Sequence, residues 1–142
     1  YFSMYTHNFA KRIRYGETDQ MGYLYYGNYA LLYEIGRSEA IRSLGISYKQ
    51  MESDLKIMMP VISVESRYLA PLTYDDQINI RTILKELPGK LIHFYHEIFN
   101  GDGQLCHKAE VKLFFIDMET QRRVSAPSFL VDKLKPSFDK QN

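Results

Sequence analysis

The stretch Tyr15-Gly16-Glu17-Thr18-Asp19-Gln20-Met21-Gly22-Tyr23-Leu24-Tyr25-Tyr26-Gly27-Asn28-Tyr29 decides how the rest of the chain is read. Two carboxylates, Glu17 and Asp19, stand one residue apart between Gly16 and Gly22. Glycines accept backbone turns that other residues resist. Gly27 and Asn28 follow where apolar residues begin to recur at helical spacing, and Asn is a favoured N-cap. The stretch therefore predicts a strand end, a tight acidic loop and a helix start. Free N–H groups and positive potential at a helix start suit an oxygen that gains negative charge.

Outward from this loop, the pattern predicts one helix and a set of antiparallel strands. Residues 29–44 read as the helix: Tyr29, Leu32, Tyr33, Gly36, Ala40, Ile41 and Leu44 share a stripe that Leu31 and Ile35 widen. Gly45 stands at the C′ position. Gly36 lies on the apolar face, where a closely approaching strand is expected to compensate for its low helix propensity. Residues 47–54 predict a further helical turn. Residues 8–15 alternate as a strand, with Lys11 interrupting the apolar face of Phe9, Ile13 and Tyr15. Residues 57–70, 76–86, 91–99 and 105–117 read as four more strands, with an edge or bulge expected near Pro60. Phe94 and Tyr95 predict cover on both faces of the third of these. Asn100-Gly101-Asp102-Gly103 predicts a hairpin turn, and residues 127–134 a short helix. One helix followed by hairpins makes an α+β domain in which the helix packs on an antiparallel sheet. The 142 residues fit a single domain, 1–142.

Composition excludes several classes. Eighteen basic against seventeen acidic residues give a net charge of +1, which leaves no broad field for nucleic acid. No apolar run approaches a membrane span. The opening residues lack the basic and apolar regions of a signal peptide. A single cysteine, Cys106, forms no internal disulfide and suggests a reducing, cytoplasmic setting. None of the four histidines stands at a metal-binding spacing, and His93 and His96 project to opposite faces of their strand. No metal site is expected.

Tyr15-Gly16-Glu17-Thr18-Asp19-Gln20-Met21-Gly22, with Tyr26, Asn28 and Tyr29, resembles the signature loop of hotdog-fold acyl-CoA thioesterases of the 4-hydroxybenzoyl-CoA thioesterase type. The likeness runs over roughly residues 8 to 135 in the order of elements. It implies a curved antiparallel sheet wrapped around one long helix. It also implies hydrolysis of acyl-CoA to a free acid and CoA, with no cofactor beyond the CoA of the substrate. Asp19 matches the family's catalytic acid, as base or nucleophile, and the Tyr26 backbone N–H matches the donor that polarises the carbonyl. Hotdog subunits pair, so a homodimer or homotetramer is implied.

Other residues remain open to two readings. Gly22 either lets the loop approach substrate or simply turns it. Glu17 either acts as a second base or braces the loop, with bracing favoured. Tyr25 and Tyr29, with Tyr23 and Tyr26, either line an aromatic pocket or pack in a core or interface. Glu34 and Glu39 lie in the helix, where some hotdog enzymes carry their acid; Glu34 with Arg37 reads more simply as an i,i+3 ion pair. Lys90 is the first choice for the CoA phosphates, followed by Arg122, Arg123 and Arg67. The rival functions are a thioesterase acting on acyl carrier protein and a non-catalytic acyl-CoA-binding or assembly module.

Overall fold

The computed structural model describes residues 4–139. Tyr1 to Ser3, part of the opening stretch discussed above, lie outside them. The chain runs through β1 (Tyr5–Arg12), α1 (Tyr29–Ser43), α2 (Tyr48–Asp54), β2 (Ile57–Met58), β3 (Val61–Tyr68), β4 (Gln77–Leu84), β5 (Leu91–Phe99), β6 (Leu105–Asp117), β7 (Arg123–Val124) and α3 (Ser128–Phe138). Single 3-10 turns at Tyr15–Glu17 and Tyr26–Asn28 lie between β1 and α1.

All pairings are antiparallel, and the main sheet runs β1-β4-β5-β6-β3. Phe9 stands opposite Ile80, Ile80 opposite Ile98, and Phe94 opposite Val111. This register puts one residue in two on the inner face. Ile78, Ile80 and Thr82 of β4, Ile92, Phe94, His96 and Ile98 of β5, and Ala109, Val111, Leu113 and Phe115 of β6 are buried there. α1 lies across that face and buries Tyr29, Leu32, Tyr33, Gly36, Ala40 and Ile41. The hydrophobic effect supplies roughly 1.5–3 kcal/mol for each large apolar side chain so covered.

Gly36 shows why the helix sits so low. A Cβ there would stand 2.6 Å from Thr82 Oγ1 and 2.9 Å from Ile80 Cγ2. The close strand approach expected from the sequence is β4. Gly45 ends the helix with φ +92°, and Gly103 turns the β5–β6 hairpin with φ +83°.

The structure redraws several boundaries. The first strand begins earlier and ends at Arg12, because residues 15–17 form a 3-10 turn. Lys11 sits on its inner side and is largely buried, since it pairs with Glu17 at 2.9 Å. The run 57–70 splits into β2 and β3, with a register shift between Val61 and Ser63, beside the expected bulge site at Pro60. β7 was not anticipated; it is a two-residue pairing with Phe115 and Ile116. α3 runs to Phe138 with Pro136 inside it. Among the described residues the outer face of β5 carries no second layer. Its Tyr95 is topped instead by the Lys85 ammonium, 4.0 Å from the ring centroid. The Glu34–Arg37 ion pair does not form; Arg42 pairs with Glu39, at 2.5 Å.

Candidate active site

The acidic loop closes on itself through backbone bonds. Asp19 N donates to Tyr23 O at 2.8 Å, and Gly22 N donates to Asp19 O at 3.0 Å. Gly22 has φ +80°, a conformation that side chains other than glycine resist. Asp19 Oδ1 accepts from the N–H groups of Met21 (2.9 Å) and Tyr23 (3.2 Å). Among the described residues no donor reaches Oδ2. The carboxylate is thus oriented through one oxygen and has the other available.

Glu17 is committed elsewhere. Its Oε1 accepts from Arg14 N at 2.7 Å and from Lys11 Nζ at 2.9 Å. Burial alone would raise its pKa; the Arg14 N–H and the Lys11 ammonium outweigh that and hold the carboxyl below its usual value. Its backbone O accepts from Tyr25 N at 3.0 Å and from Asn28 Nδ2 at 2.9 Å. Asn28 therefore does not cap α1 with its side chain, as the sequence suggested. It clips the helix start to the acid loop.

The loop, the helix start and the end of β3 enclose a groove of about 350 Å³. Asp19, Tyr23, Leu24, Tyr26, Tyr29, Tyr68, Leu69, Ala70 and Pro71 line it. Asp19, Tyr26 and Tyr29 are brought together as the loop reading anticipated. Gly22, Glu17 and Tyr25 shape the loop from outside the groove. Tyr25 packs against Tyr26 with the rings tilted at 41° and their centroids 4.6 Å apart. Tyr68 to Pro71 were read only as strand and stop; the one sequence signal was an apolar strand face halted by Pro71. The Tyr26 N–H, first of its 3-10 turn, meets no acceptor among the described residues, as the geometry of a helix start dictates.

Behind the groove lies a buried polar cluster. His107 stacks on Tyr29 (4.3 Å) and meets Tyr68 edge-on (4.7 Å). Tyr33 Oη hydrogen-bonds both His107 Nε2 and Ser66 Oγ. His96 Nδ1 pairs with Thr82 Oγ1 at 3.1 Å. Burial holds His107 down to about 4. Burial, then the Arg37 guanidinium and His107, hold His96 down to about 3. Both rings are therefore neutral near neutral pH. Burial also pushes Tyr29 and Tyr33 up to about 12. The stacking that ties His107 to the groove walls had no sequence signal.

Lys90 is not in this groove. It adjoins Leu91, which stands opposite Phe114, whereas Tyr68 stands opposite His107 at the other end of β6. Seven residues of strand separate the two, about 23 Å. Arg123 lies at the Lys90 end, over Phe114 at 3.5 Å. Among the described residues no cluster of three metal-ligating side chains occurs, and no helix is long and apolar enough to cross a membrane.

Residues 13–134 match the model of the thioesterase-like superfamily. The chain belongs to that superfamily. Its fold is the hotdog fold, and this thioesterase-family member has relatives in several bacteria. It is 36% identical over 109 residues to the putative acyl-CoA thioesterase YneP of Bacillus subtilis, covering 76% of this chain and 78% of that one. A DHNA-CoA thioesterase from Staphylococcus aureus superposes with a TM-score of 0.79 at 30% identity, over 84% of this chain and 80% of that one. The 4-hydroxybenzoyl-CoA thioesterase from Pseudomonas sp. strain CBS-3 shares the fold, with a TM-score of 0.81 at 24% identity, over 90% and 98% of the two chains.

Proposed function

We propose that the protein is an acyl-CoA thioesterase whose acyl-transfer site is the groove between the acid loop and the end of β3. The observation that carries the reading is that Asp19, with Oδ2 undonated, and Tyr26, with its N–H unpaired, line one groove. The superfamily match and the names of the relatives support it.

The chemistry asks little of the protein. A thioester carbonyl is electrophilic and a thiolate leaves readily. Asp19 acts as base or nucleophile. In the base role it takes a proton from water as the oxygen bonds to the carbonyl carbon. The developing oxyanion takes the Tyr26 N–H, a fixed donor beside the start of α1. Collapse breaks the C–S bond, and the proton ends on the departing CoA sulfur. Glu17 serves as the brace of Asp19's loop rather than a second base.

The working unit is a homo-oligomer of at least two copies. Among the described residues β3 leaves one edge unpaired, and Val61, Ile62 and Val64 on it and Leu69 just beyond it are exposed. Unprotected apolar edges invite pairing. Antiparallel addition of a second β3 would bring the partner's Lys90 and Arg123 end to the groove end of this protomer. That placement suits the CoA phosphates, which the groove itself has no cation to meet.

The test is thiol release from a panel of short, long and aromatic acyl-CoAs and the matching acyl carrier proteins, for the wild type and Asp19→Asn. Turnover of one CoA class, with at least a hundredfold loss in the variant, supports the reading. Equal activity of both proteins moves the acid elsewhere, with Glu34 and Glu39 next. Turnover of carrier-protein esters alone changes the donor. No turnover at all favours a binding module.

A further inference from the structure

The two walls of the groove come from segments far apart in the chain. Tyr26 and Tyr29 stand at the start of α1, and Tyr68 to Ala70 at the end of β3. His107 lies behind both. It sits on β6, paired on either side, opposite Ile98 of β5 and Tyr68 of β3. Its ring is fully buried. The sheet therefore sets its place.

From that place it meets each wall twice. Toward α1, the ring stacks on Tyr29 with centroids 4.3 Å apart, and Nε2 hydrogen-bonds Tyr33 Oη. Tyr29 and Tyr33 are four residues apart, so they share one helix face. Toward β3, the ring meets Tyr68 edge-on at 4.7 Å, and Tyr33 Oη carries the polar contact on to Ser66 Oγ at 2.7 Å. Ser66 and Tyr68 are two residues apart, so they share one strand face. Tyr29 and Tyr68 close the triangle, 5.0 Å apart at 82°. The carbonyl just before His107, Cys106 O, accepts from the N–H groups of Leu69 and Ala70 at 2.9 and 3.0 Å.

The grip depends on both features of an imidazole. A flat ring makes the stack, and a ring nitrogen makes the bond. The Tyr33 hydroxyl has one proton for two partners, so it donates to one and accepts from the other. An apolar ring keeps the stack and loses the bond; an amide keeps a polar group and loses the stack.

The effect reaches the reacting atoms through the backbone. Tyr29 N donates to Tyr26 O and so closes the 3-10 turn that begins with the Tyr26 N–H. Holding Tyr29 therefore holds the direction of that N–H. An oxyanion donor works by being fixed in advance, and a misplacement of about 1 Å can cost on the order of a hundredfold in rate.

We infer that His107 is a positioning residue for thioester hydrolysis: it grips the first turn of α1 and so keeps the Tyr26 N–H aimed at the developing oxyanion. The inference rests on the reading of this groove as the acyl site.

The test compares His107→Phe, His107→Gln and Tyr33→Phe with Ile92→Ala, a core variant at the far end of β5, opposite Leu113. Acetyl-, octanoyl- and benzoyl-CoA serve as substrates, and the best of them is used for steady-state kinetics. The first three variants are expected to lose at least tenfold in kcat with KM within about threefold. Ile92→Ala, destabilised at least as much in thermal melts, is expected to keep its kcat. The double variant His107→Phe/Tyr33→Phe is expected to be no slower than the worse single, because both remove one contact. A kcat retained in the His107 variants, a loss confined to KM, or an equal loss in Ile92→Ala overturns the inference. A readout without turnover accompanies it. Tyr33→Phe keeps every ring in place, yet its Tyr26 amide resonance is expected to move in a proton–nitrogen NMR spectrum; an unmoved resonance also overturns the inference. If the wild type is active, Asp19→Asn is not, and the His107 variants keep their kcat, the functional reading stands and the positioning role falls. If the wild type releases no thiol from any ester, the functional reading falls and takes the role in hydrolysis with it, while a moved Tyr26 resonance leaves the grip itself standing.

Discussion

The side-chain amide of Asn28 donates to the backbone carbonyl of Glu17 across 2.9 Å. Eleven residues apart in sequence, these two fix where the acid loop stands relative to the start of the central helix. The Glu17 carbonyl also takes Tyr25 N. One oxygen therefore fastens the segment that carries Asp19 to the segment that carries Tyr26.

Breaking that clip should misplace Asp19 relative to the Tyr26 N–H more than it unfolds the protein. Asn28→Ala removes one part-buried hydrogen bond, worth about 1 kcal/mol. Asn28→Asp replaces the donor with a carboxylate beside a carbonyl and should be worse. We expect kcat to fall at least tenfold in both, with a smaller change in KM, because small misplacements weigh on the chemical step. Steady-state kinetics beside thermal melts check this; a KM effect alone would count against it.

Glu17→Gln separates the brace from the base. It keeps an acceptor for Arg14 N but loses the ion pair with Lys11. Its kcat should fall far less than that of Asp19→Asn. An ordinary Glu carboxyl titrates near 4.5, and that of folded Glu17 lies below it. The stabilisation from Glu17 is therefore fully present above 4.5 and lost as pH falls through the lower folded value. Acid melts of Glu17→Gln should show a shallower loss below 4.5 than the wild type.

The buried histidines make a separate contribution to acid sensitivity. Both have folded values below the ordinary 6.5, about 3 for His96 and about 4 for His107. The unfolded chain binds protons that the folded chain refuses, so stability falls as pH drops below 6.5. Each ring contributes a slope of about 1.4 kcal/mol per pH unit between those limits. Denaturant unfolding between pH 6 and 5 should show this slope, reduced by about half in His107→Gln. An unchanged slope in the variant would contradict the assignment.

Gly36→Ala should destabilise by about 1–3 kcal/mol, as overpacked core positions do. The helix has to rise from Thr82 and Ile80 to admit the methyl. Urea midpoints measure it. A gain in stability, as helix propensity alone would give, would show that the contact is loose.

Much of this molecule could be read from local pattern. The stripe from Tyr29 to Leu44 marked α1, and the alternation in 76–86, 91–99 and 105–117 marked β4, β5 and β6 within a residue or two. The resemblance of the acid loop to a family signature pointed to Asp19 and Tyr26, which do line one groove. What escaped depends on contacts between distant segments. Lys11 looked like a fault in an apolar face until Glu17 was found against it. Asn28 looked like a cap because capping is local, yet its partner is eleven residues back. The far wall of the groove, Tyr68 to Pro71, is brought there by the sheet and not by its neighbours in sequence. Lys90 was the first choice for phosphate from its place in the turn after Pro88-Gly89, and sheet order puts it at the other end of β6 from this protomer's own groove.

The Gly36 contact also has a meaning for whatever enters the groove. Helix and sheet touch there with no room for one added methyl. Gly36 lies seven residues beyond Tyr29, about 10 Å along the helix axis. A guest that slid from the groove beneath α1 would reach a dead end at that depth. Anything longer must turn sideways, toward the free edge of β3. The helix thus works as a depth gauge for whatever enters beside Tyr29.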